Sequence, residues 1–333
     1  MTPEQLSALC RAFDLGTSIS VEENHEGVLN RNYVLKTDRG QYFIKSVRDS
    51  RKLDIPYIAA VEQYMHVSGI PAVCMVKTVT GDLYLEADSE VFTVYPYIAS
   101  KKLGDYVDSD FERMGSLLAQ IHRAGSAAAA SSQFKEKTFK EKDTTILREK
   151  LEMYRDKIQA NEYKDTTDLL FLEYIDTKLR SMSELVPIHM ENDTLVHGDY
   201  HARNLLFGED RQITGVCDWE KAELSPRAYE IARSVQYICF EGDEDYKYDE
   251  VIAVQQAQAF MRGYNSVYPI APKELQMGYA LRLRKLVYSV WIEDQHYLRG
   301  DTRSNKFIPH ETRLIKEFTS PHLVDMLVGS AKI

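Results

Sequence analysis

Asp199, Asn204 and Asp218 are the residues whose types and spacing fit a defined chemistry. They stand in Val196-His197-Gly198-Asp199-Tyr200-His201-Ala202-Arg203-Asn204-Leu205-Leu206-Phe207 and Val216-Cys217-Asp218-Trp219. An Asp, an Asn five residues on and a second Asp near a strand end are what phosphoryl transfer from ATP requires. One carboxylate orients and deprotonates a hydroxyl. An amide and a second carboxylate hold Mg²⁺ on the phosphates, since Mg²⁺ prefers oxygen ligands. An Asp of ordinary pKa is ionised at pH 7, so Asp199 can accept the hydroxyl proton.

Particular elements must bring these groups together. Leu195 and Val196 read as a short buried strand, broken by His197-Gly198-Asp199. Leu205-Leu206-Phe207 is a second apolar run, Gly208-Glu209-Asp210 a turn signal and Ile213 to Cys217 a third strand. Pairing Phe207 with Ile213 sets Asn204 opposite Val216. Period-two alternation then predicts Asn204 and Asp218 on one face, as a Mg²⁺ cradle. Asp199 lies outside this hairpin, facing a substrate hydroxyl. A rival reading takes His197, Asp199 and His201 as ligands of a metal-dependent hydrolase. It leaves Asn204 and Asp218 unexplained, and no further ligands stand at metal-site spacing.

Upstream, Tyr42-Phe43-Ile44-Lys45-Ser46-Val47 alternates so that Phe43, Lys45 and Val47 share a face. A Lys between two apolar inward positions needs a partner. Asp54 is expected to cap a helix with Pro56 in its first turn, on which Ile55, Ile58, Glu62 and Met65 form one side. Glu62 inside an apolar stripe is costly unless paired, so Lys45 and Glu62 are the expected couple. Such a pair would position Lys45 on the α- and β-phosphates.

His197-Gly198-Asp199-Tyr200-His201-Ala202-Arg203-Asn204, followed by Cys217-Asp218-Trp219-Glu220, resembles the aminoglycoside phosphotransferase and choline kinase-like superfamily of small-molecule kinases. The resemblance implies an α+β, two-lobed protein-kinase-like fold, with an antiparallel N-lobe sheet and helix and a mainly helical C-lobe. It implies Asp199 as catalytic base and Asn204 and Asp218 as Mg²⁺ ligands, with Trp219 where protein kinases carry Phe. It makes the Pro96-Tyr97-Ile98 linker the adenine-contacting hinge. Pro96 has no N–H and can only accept, whereas the Ile98 N–H can donate. Asn30, Asn32 and Tyr33 resemble the nucleotide-covering loop of homoserine kinase-like members, the leading branch. The expected lobes are residues 1–98 for nucleotide and 99–333 for the catalytic loop and acceptor pocket. Where the family usually has Asp-Leu-Ala, with the Asp supporting the catalytic loop, this chain has Glu230-Ile231-Ala232.

Composition narrows the partners. With 333 residues, 44% hydrophobic, the chain can fill two lobes. A formal net charge of −10 and no basic stripe exclude nucleic acid as the expected partner. Cys10, Cys74, Cys217 and Cys239 are scattered, as in a reducing cytoplasm. No signal peptide or membrane-spanning run is visible.

The remaining elements read as support or pocket. Thr2 is an N-cap with Pro3 behind it, for a helix running to about Gly16. Val73 to Val76 and Leu83 to Leu85 read as strands. Phe111, Met114, Leu117, Leu118, Ile121 and His122 repeat at helical spacing, with His122 structural. Ala127 to Lys142 reads as a mobile, solvated loop. Glu241 to Glu250 is acidic and Tyr-rich, a solvated loop or a cation-attracting rim. Trp291 reads as core, and Glu293 and Asp294 as pocket residues. The expected activity is ATP- and Mg²⁺-dependent phosphorylation of an amino alcohol, amino acid or amino sugar by a monomer or homodimer. A catalytically silent kinase-fold binding protein is the other rival, and the presence of Lys45, Asp199, Asn204 and Asp218 speaks against it.

Overall fold

The Thr2 hydroxyl accepts from the Gln5 N–H while the Gln5 side chain accepts from the Thr2 N–H, a reciprocal cap that starts α1 (Pro3–Ala12). The computed structural model describes residues 1–24, 31–47, 49–103, 105–140, 143–240 and 249–329. Asn30 and most of the acidic Glu241–Glu250 stretch lie outside them.

An antiparallel sheet follows, built from β1 (Ser18–Asn24), β2 (Arg31–Thr37) and β3 (Gly40–Val47), then β4 (Leu85–Ala87) and β5 (Glu90–Pro96), in the order β1-β2-β3-β5-β4. Its faces do different jobs. Tyr33, Leu35, Ile44, Phe92 and Val94 pack with Leu9 and Phe13 of α1 into a closed apolar layer. The register sets Asn32 opposite Lys45 and Lys45 opposite Thr93, so these polar residues form a row on the other face. Ile44 is the deeply buried residue of β3, whereas Phe43, Lys45 and Val47 are only half-buried. Between β3 and β4 runs α2 (Ile55–Val67). Its Tyr57, Ile58, Val61 and Met65 join the large core of the helical region rather than the sheet's own core.

That region begins with α3 (Asp108–Ala128), whose Phe111, Met114, Leu117, Leu118 and Ile121 are all buried. Next come α4 (Thr144–Gln159) and α5 (Thr166–Met182). Two small antiparallel pairs carry the catalytic-loop region: β6 (Thr194–Val196) with β9 (Glu223–Ser225), and β7 (Leu205–Phe207) with β8 (Ile213–Val216). Then follow α6 (Arg227–Val235) with a π-helical turn over Gln236–Phe240, α7 (Glu250–Asn265), α8 (Pro272–Val287), α9 (Trp291–Arg299), α10 (Ile308–Thr319) and α11 (Pro321–Gly329). This is the two-lobed protein-kinase-like fold. Among the described residues no helix is long and apolar enough to cross a membrane.

Several local expectations change. Helix α1 stops at Ala12 because Asp14, at φ 52°, turns the chain out of the helix. Asp54 does not cap α2: the chain enters from a 3₁₀ turn, Asp54 is already helical, and its carboxylate pairs with Lys137 at 2.7 Å. Val76 makes an isolated bridge to Val94 instead of a strand. Within the Ala127–Lys142 stretch, Phe134 is buried between Tyr57 and Tyr64. Trp291 is 42% exposed. Glu293 is buried on Lys178 at 2.9 Å, and Asp294 pairs with Lys150 and Tyr154 at 2.7 Å each, so both carboxylates hold helices together.

Candidate active site

The site starts from a backbone constraint at Gly198. Its φ is +78°, and a Cβ there would meet the Lys221 carbonyl at 1.9 Å, so only glycine fits. The turn passes between two anchors. On one side, the buried Glu230 carboxylate accepts from the His197 N–H at 3.0 Å, from the Gly198 N–H and from His122 Nε2 at 2.9 Å. Burial would raise the Glu230 pKa, but His122, His197 and the Gly198 N–H together hold it below the ordinary value. Glu therefore reaches where the family usually has Asp. His122 Nδ1 meets the Tyr264 hydroxyl at 2.9 Å, which fixes the ring as a buried strut.

On the other side, His197 packs against Trp219, with ring centroids 4.5 Å apart. Its Nε2 bonds the Cys217 carbonyl at 3.0 Å, and its Nδ1 accepts from the Asp199 N–H at 3.2 Å. Both ring nitrogens are thus engaged by backbone, which removes His197 as a metal ligand. Burial lowers the pKa of His197, and it lowers that of His201 to about 4. Among the described residues, no group of three His, Cys, Asp or Glu side chains could hold a metal. The hydrolase reading fails on this geometry.

Asp199 presents its carboxylate to two cations. Lys221 Nζ lies 2.8 Å from Oδ2 and Arg233 lies 3.0 Å from Oδ1. Arg233 also donates to the Gly198 carbonyl and, at 3.3 Å, to the Tyr237 hydroxyl. Burial pushes the Asp199 pKa up, but Arg233 and Lys221 outweigh it and keep the carboxyl below its usual range.

The Asn204 and Asp218 positions arise differently from the expected strand alternation. Phe207 does pair with Ile213, but a bulge between Leu206 and Phe207 shifts the register. Leu205 then faces Val216, and the Asn204 carbonyl accepts from the Cys217 N–H at 3.0 Å. Asp218 follows in a left-handed conformation, φ 69° and ψ 56°, opening a 3₁₀ turn over Trp219–Lys221. The left-handed residue, not period two, aims its carboxylate. Asn204 is buried and donates through Nδ2 to the Asp199 carbonyl at 3.0 Å, so Oδ1 is left as an acceptor. Asp218 keeps 39% of its side chain exposed. Two oxygen donors, one with its amide nitrogen tied back, match what Mg²⁺ takes from protein.

Lys45 departs from its expected partner. Its Nζ lies 2.8 Å from Asp218 Oδ1 and 3.3 Å from Glu220 Oε1. Glu62 instead accepts from the Met75 N–H at 3.1 Å and the Tyr95 hydroxyl at 3.2 Å, and forms no ion pair with Lys45. Tyr95 contacts both residues: its hydroxyl donates to Glu62, and Lys45 Nζ lies 5.5 Å from the centre of its ring. Burial pushes the Glu62 pKa up to about 8, whereas Asp218 and Glu220 outweigh burial and raise that of Lys45. In the linker, the Tyr97 N–H bonds the Gln41 carbonyl at 3.1 Å, Pro96 has no N–H, and the Ile98 N–H has no backbone partner among the described residues.

Tyr95, Glu220, Lys221 and Arg233 were not singled out from the sequence. Glu220 and Lys221 directly follow Trp219, and Arg233 stands one helical turn beyond Glu230, so spacing offered a signal for each.

The sequence model of the phosphotransferase enzyme family, APH, matches residues 20–269. The chain belongs to that family. Like its relatives there, this phosphotransferase is a small-molecule kinase with an alcohol group as acceptor. It is 22% identical over 286 residues to a homoserine kinase of Caulobacter vibrioides, covering 82% of this chain and 81% of that protein. In fold it is similar to spectinomycin phosphotransferase in complex with ADP and spectinomycin, with a TM-score of 0.64, 17% identity and coverage of 100% and 99% of the two chains. It is equally similar to an amicoumacin kinase in complex with AMP-PNP, Ca²⁺ and Ami, with a TM-score of 0.64, 16% identity and coverage of 96% and 94%.

Proposed function

We propose that this phosphotransferase uses ATP and Mg²⁺ to phosphorylate a hydroxyl of an amino alcohol, amino acid or amino sugar in the cytoplasm. The observation that carries the reading is the convergence of Asp199, Asn204, Asp218 and Lys45 around the His197–Asp199 turn. Residues 1–98 form the nucleotide lobe and residues 99–333 the catalytic and acceptor lobe. Asn32, Lys45 and the Pro96–Ile98 linker bind nucleotide, with the Ile98 N–H donating to the adenine ring.

Asp199 orients the acceptor hydroxyl and takes its proton as the oxygen attacks the γ-phosphorus. The bond from the γ-phosphorus to the bridging oxygen breaks, ADP leaves with that electron pair, and a new phosphorus–oxygen bond joins the acceptor. Mg²⁺, held by Asn204 and Asp218, would neutralise charge on the phosphates. Lys45 supplies a second positive charge to them. Lys221 and Arg233 keep Asp199 ionised and fixed, and Glu230 holds the turn that carries it. Catalysis comes from position and charge, with no covalent enzyme intermediate.

ADP release is the test, with ATP and Mg²⁺ over homoserine, choline, ethanolamine, amino sugars, methylthioribose and aminoglycosides. Turnover lost in Asp199→Ala is the expected result. Full activity in that variant, or no binding of ATP and Mg²⁺ by the wild type, overturns the reading.

A further inference from the structure

With the hydrolase reading gone, His201 has no assigned part in the site, although it stands two residues past Asp199. Its backbone is extended, φ −152° and ψ 165°, where it opens the 3₁₀ turn over Ala202–Asn204, and its carbonyl accepts from the Asn204 N–H at 2.9 Å. The ring stands edge-on to Tyr237, with centroids 5.9 Å apart and an interplanar angle of 85°. The Tyr237 hydroxyl in turn accepts from Arg233 at 3.3 Å, and the same arginine holds Asp199 Oδ1. One set of contacts thus fixes the imidazole and the carboxylate relative to each other.

The two ring nitrogens differ. Nδ1 is buried and has no hydrogen-bond partner among the described residues. Nε2 lies 3.8 Å from Asp199 Oδ2, beyond hydrogen-bond length, so it faces the carboxylate across a gap. An orphaned buried N–H is costlier than an orphaned buried acceptor, which puts the ring proton on Nε2. The side chain is 21% exposed, and that exposure lies away from Nδ1.

Asp199 has room on the same side. Oδ1 accepts from Arg233 at 3.0 Å and Oδ2 from Lys221 at 2.8 Å. A carboxylate oxygen offers two lone-pair sites, so Oδ2 keeps one for a substrate hydroxyl. Oδ2 and Nε2 are close enough for both to lie about 2.8 Å from a single oxygen placed between them.

We infer that His201 is a further catalytic residue, whose Nε2–H donates to the acceptor's hydroxyl oxygen while that hydroxyl donates to Asp199 Oδ2. The inference rests on the phosphotransfer reading above and deepens it. A hydroxyl oxygen carries one carbon, one proton and two lone pairs. With the proton on Asp199 and one lone pair on His201, the other lone pair is left to attack the γ-phosphorus. Two contacts therefore set the rotation about the carbon–oxygen bond, which Asp199 alone leaves free. As the proton passes to Asp199, negative charge grows on the oxygen, and an N–H already in place stabilises it. His201 keeps its own proton throughout, so the balance of the proposed reaction is unchanged.

The test separates the two nitrogens. Glutamine carries its NH₂ as far out as Nε2, asparagine only as far as Nδ1, and leucine carries none. ADP release over the acceptors named above gives kcat and KM for each variant. His201→Leu and His201→Asn should lower kcat/KM for the acceptor by about a hundredfold. His201→Gln should recover about tenfold or more of that loss, and KM for ATP should stay within about twofold of the wild type in all three. Undiminished kcat/KM in folded His201→Leu overturns the inference, as does a His201→Gln no better than His201→Leu. A second measurement needs no acceptor. Long-range ¹H–¹⁵N NMR of protein labelled with ¹⁵N-histidine reads the ring directly, with the His201 signals identified by their loss in His201→Gln. A proton on Nε2 at pH 7 is expected, and a proton on Nδ1 overturns the inference. Binding of ATP and Mg²⁺, and the loss of turnover in Asp199→Ala, report separately on the phosphotransfer reading itself.

Discussion

Lys45 Nζ lies 2.8 Å from Asp218 Oδ1, across 173 residues of sequence. The contact ties the middle of the N-terminal sheet to the turn behind the catalytic loop. It also places the lysine on the oxygen set that Mg²⁺ is proposed to use, so cation and metal compete for Asp218 in the ligand-free protein.

Lys45→Met should therefore separate two effects. Removing the charge proposed to face the phosphates should lower kcat/KM for ATP by about a hundredfold or more, equivalent to ~2.7 kcal/mol. Removing the competitor strengthens metal binding. Mg²⁺ alone should then raise the Tm of Lys45→Met more than that of the wild type. Equal shifts in the two proteins would refute the competition.

Glu230 is the next lever. Its carboxylate is 1% exposed and serves three donors, two of them N–H groups of the His197–Gly198 turn. Glutamine keeps one acceptor oxygen and turns an NH₂ toward N–H donors. Glu230→Gln should cost roughly 2–5 kcal/mol of stability by denaturant unfolding, and lower kcat more than it changes KM for ATP. The pKa of Glu230 is depressed, so its contribution is present above the ordinary carboxylate pKa and is lost as pH falls through the folded value. The difference between wild type and variant should accordingly shrink in acid.

The kinase-like fold and the grouping of Asp199, Asn204 and Asp218 were legible because strong local signals set them. Gly198 fixes a turn no other residue fits, and the apolar runs at Leu205–Phe207 and Ile213–Val216 fix the pairing. The Lys45 partners were illegible because Asp218 and Glu220 come from a turn far along the chain, and periodicity reports a face but not a distance. The Asn204–Asp218 placement was reasoned from strand alternation. The bulge at Leu206–Phe207 and the left-handed Asp218 made the real geometry, and neither leaves a mark in the apolar pattern.

Glu62 gives a pH signature that follows from the same mismatch. With Tyr95 and the Met75 N–H as partners and no ion pair among the described residues, burial outweighs the pull of Lys45 and its pKa stands at about 8 against an ordinary 4.5. The folded protein thus binds a proton there that the unfolded chain releases. Stability is full below the unfolded pKa and falls as pH rises through the window between the two values. Glu62→Gln removes the titration. The wild type should lose on the order of a few kcal/mol relative to this variant between pH 5 and pH 9. Parallel stability profiles would show that Glu62 is charged and compensated, as the Lys45 pairing would have made it.

The final prediction concerns the proton acceptor. Arg233 and Lys221 hold the Asp199 pKa below the usual range against the opposing effect of burial. In the wild type the acid limb of kcat/KM should fall at lower pH than an ordinary Asp would give. Lys221→Met removes a cation 2.8 Å from Oδ2 and leaves the Arg233 contact in place. Its side chain is 48% exposed, so the fold tolerates the change. The limb should move to higher pH, with kcat/KM at pH 7 lowered about tenfold. Because the exposed pair is screened, added salt should move the wild-type limb in the same direction and leave that of Lys221→Met nearly still. If the limb stays where it is in both experiments, Asp199 does not set it, and the proton passes to a different group.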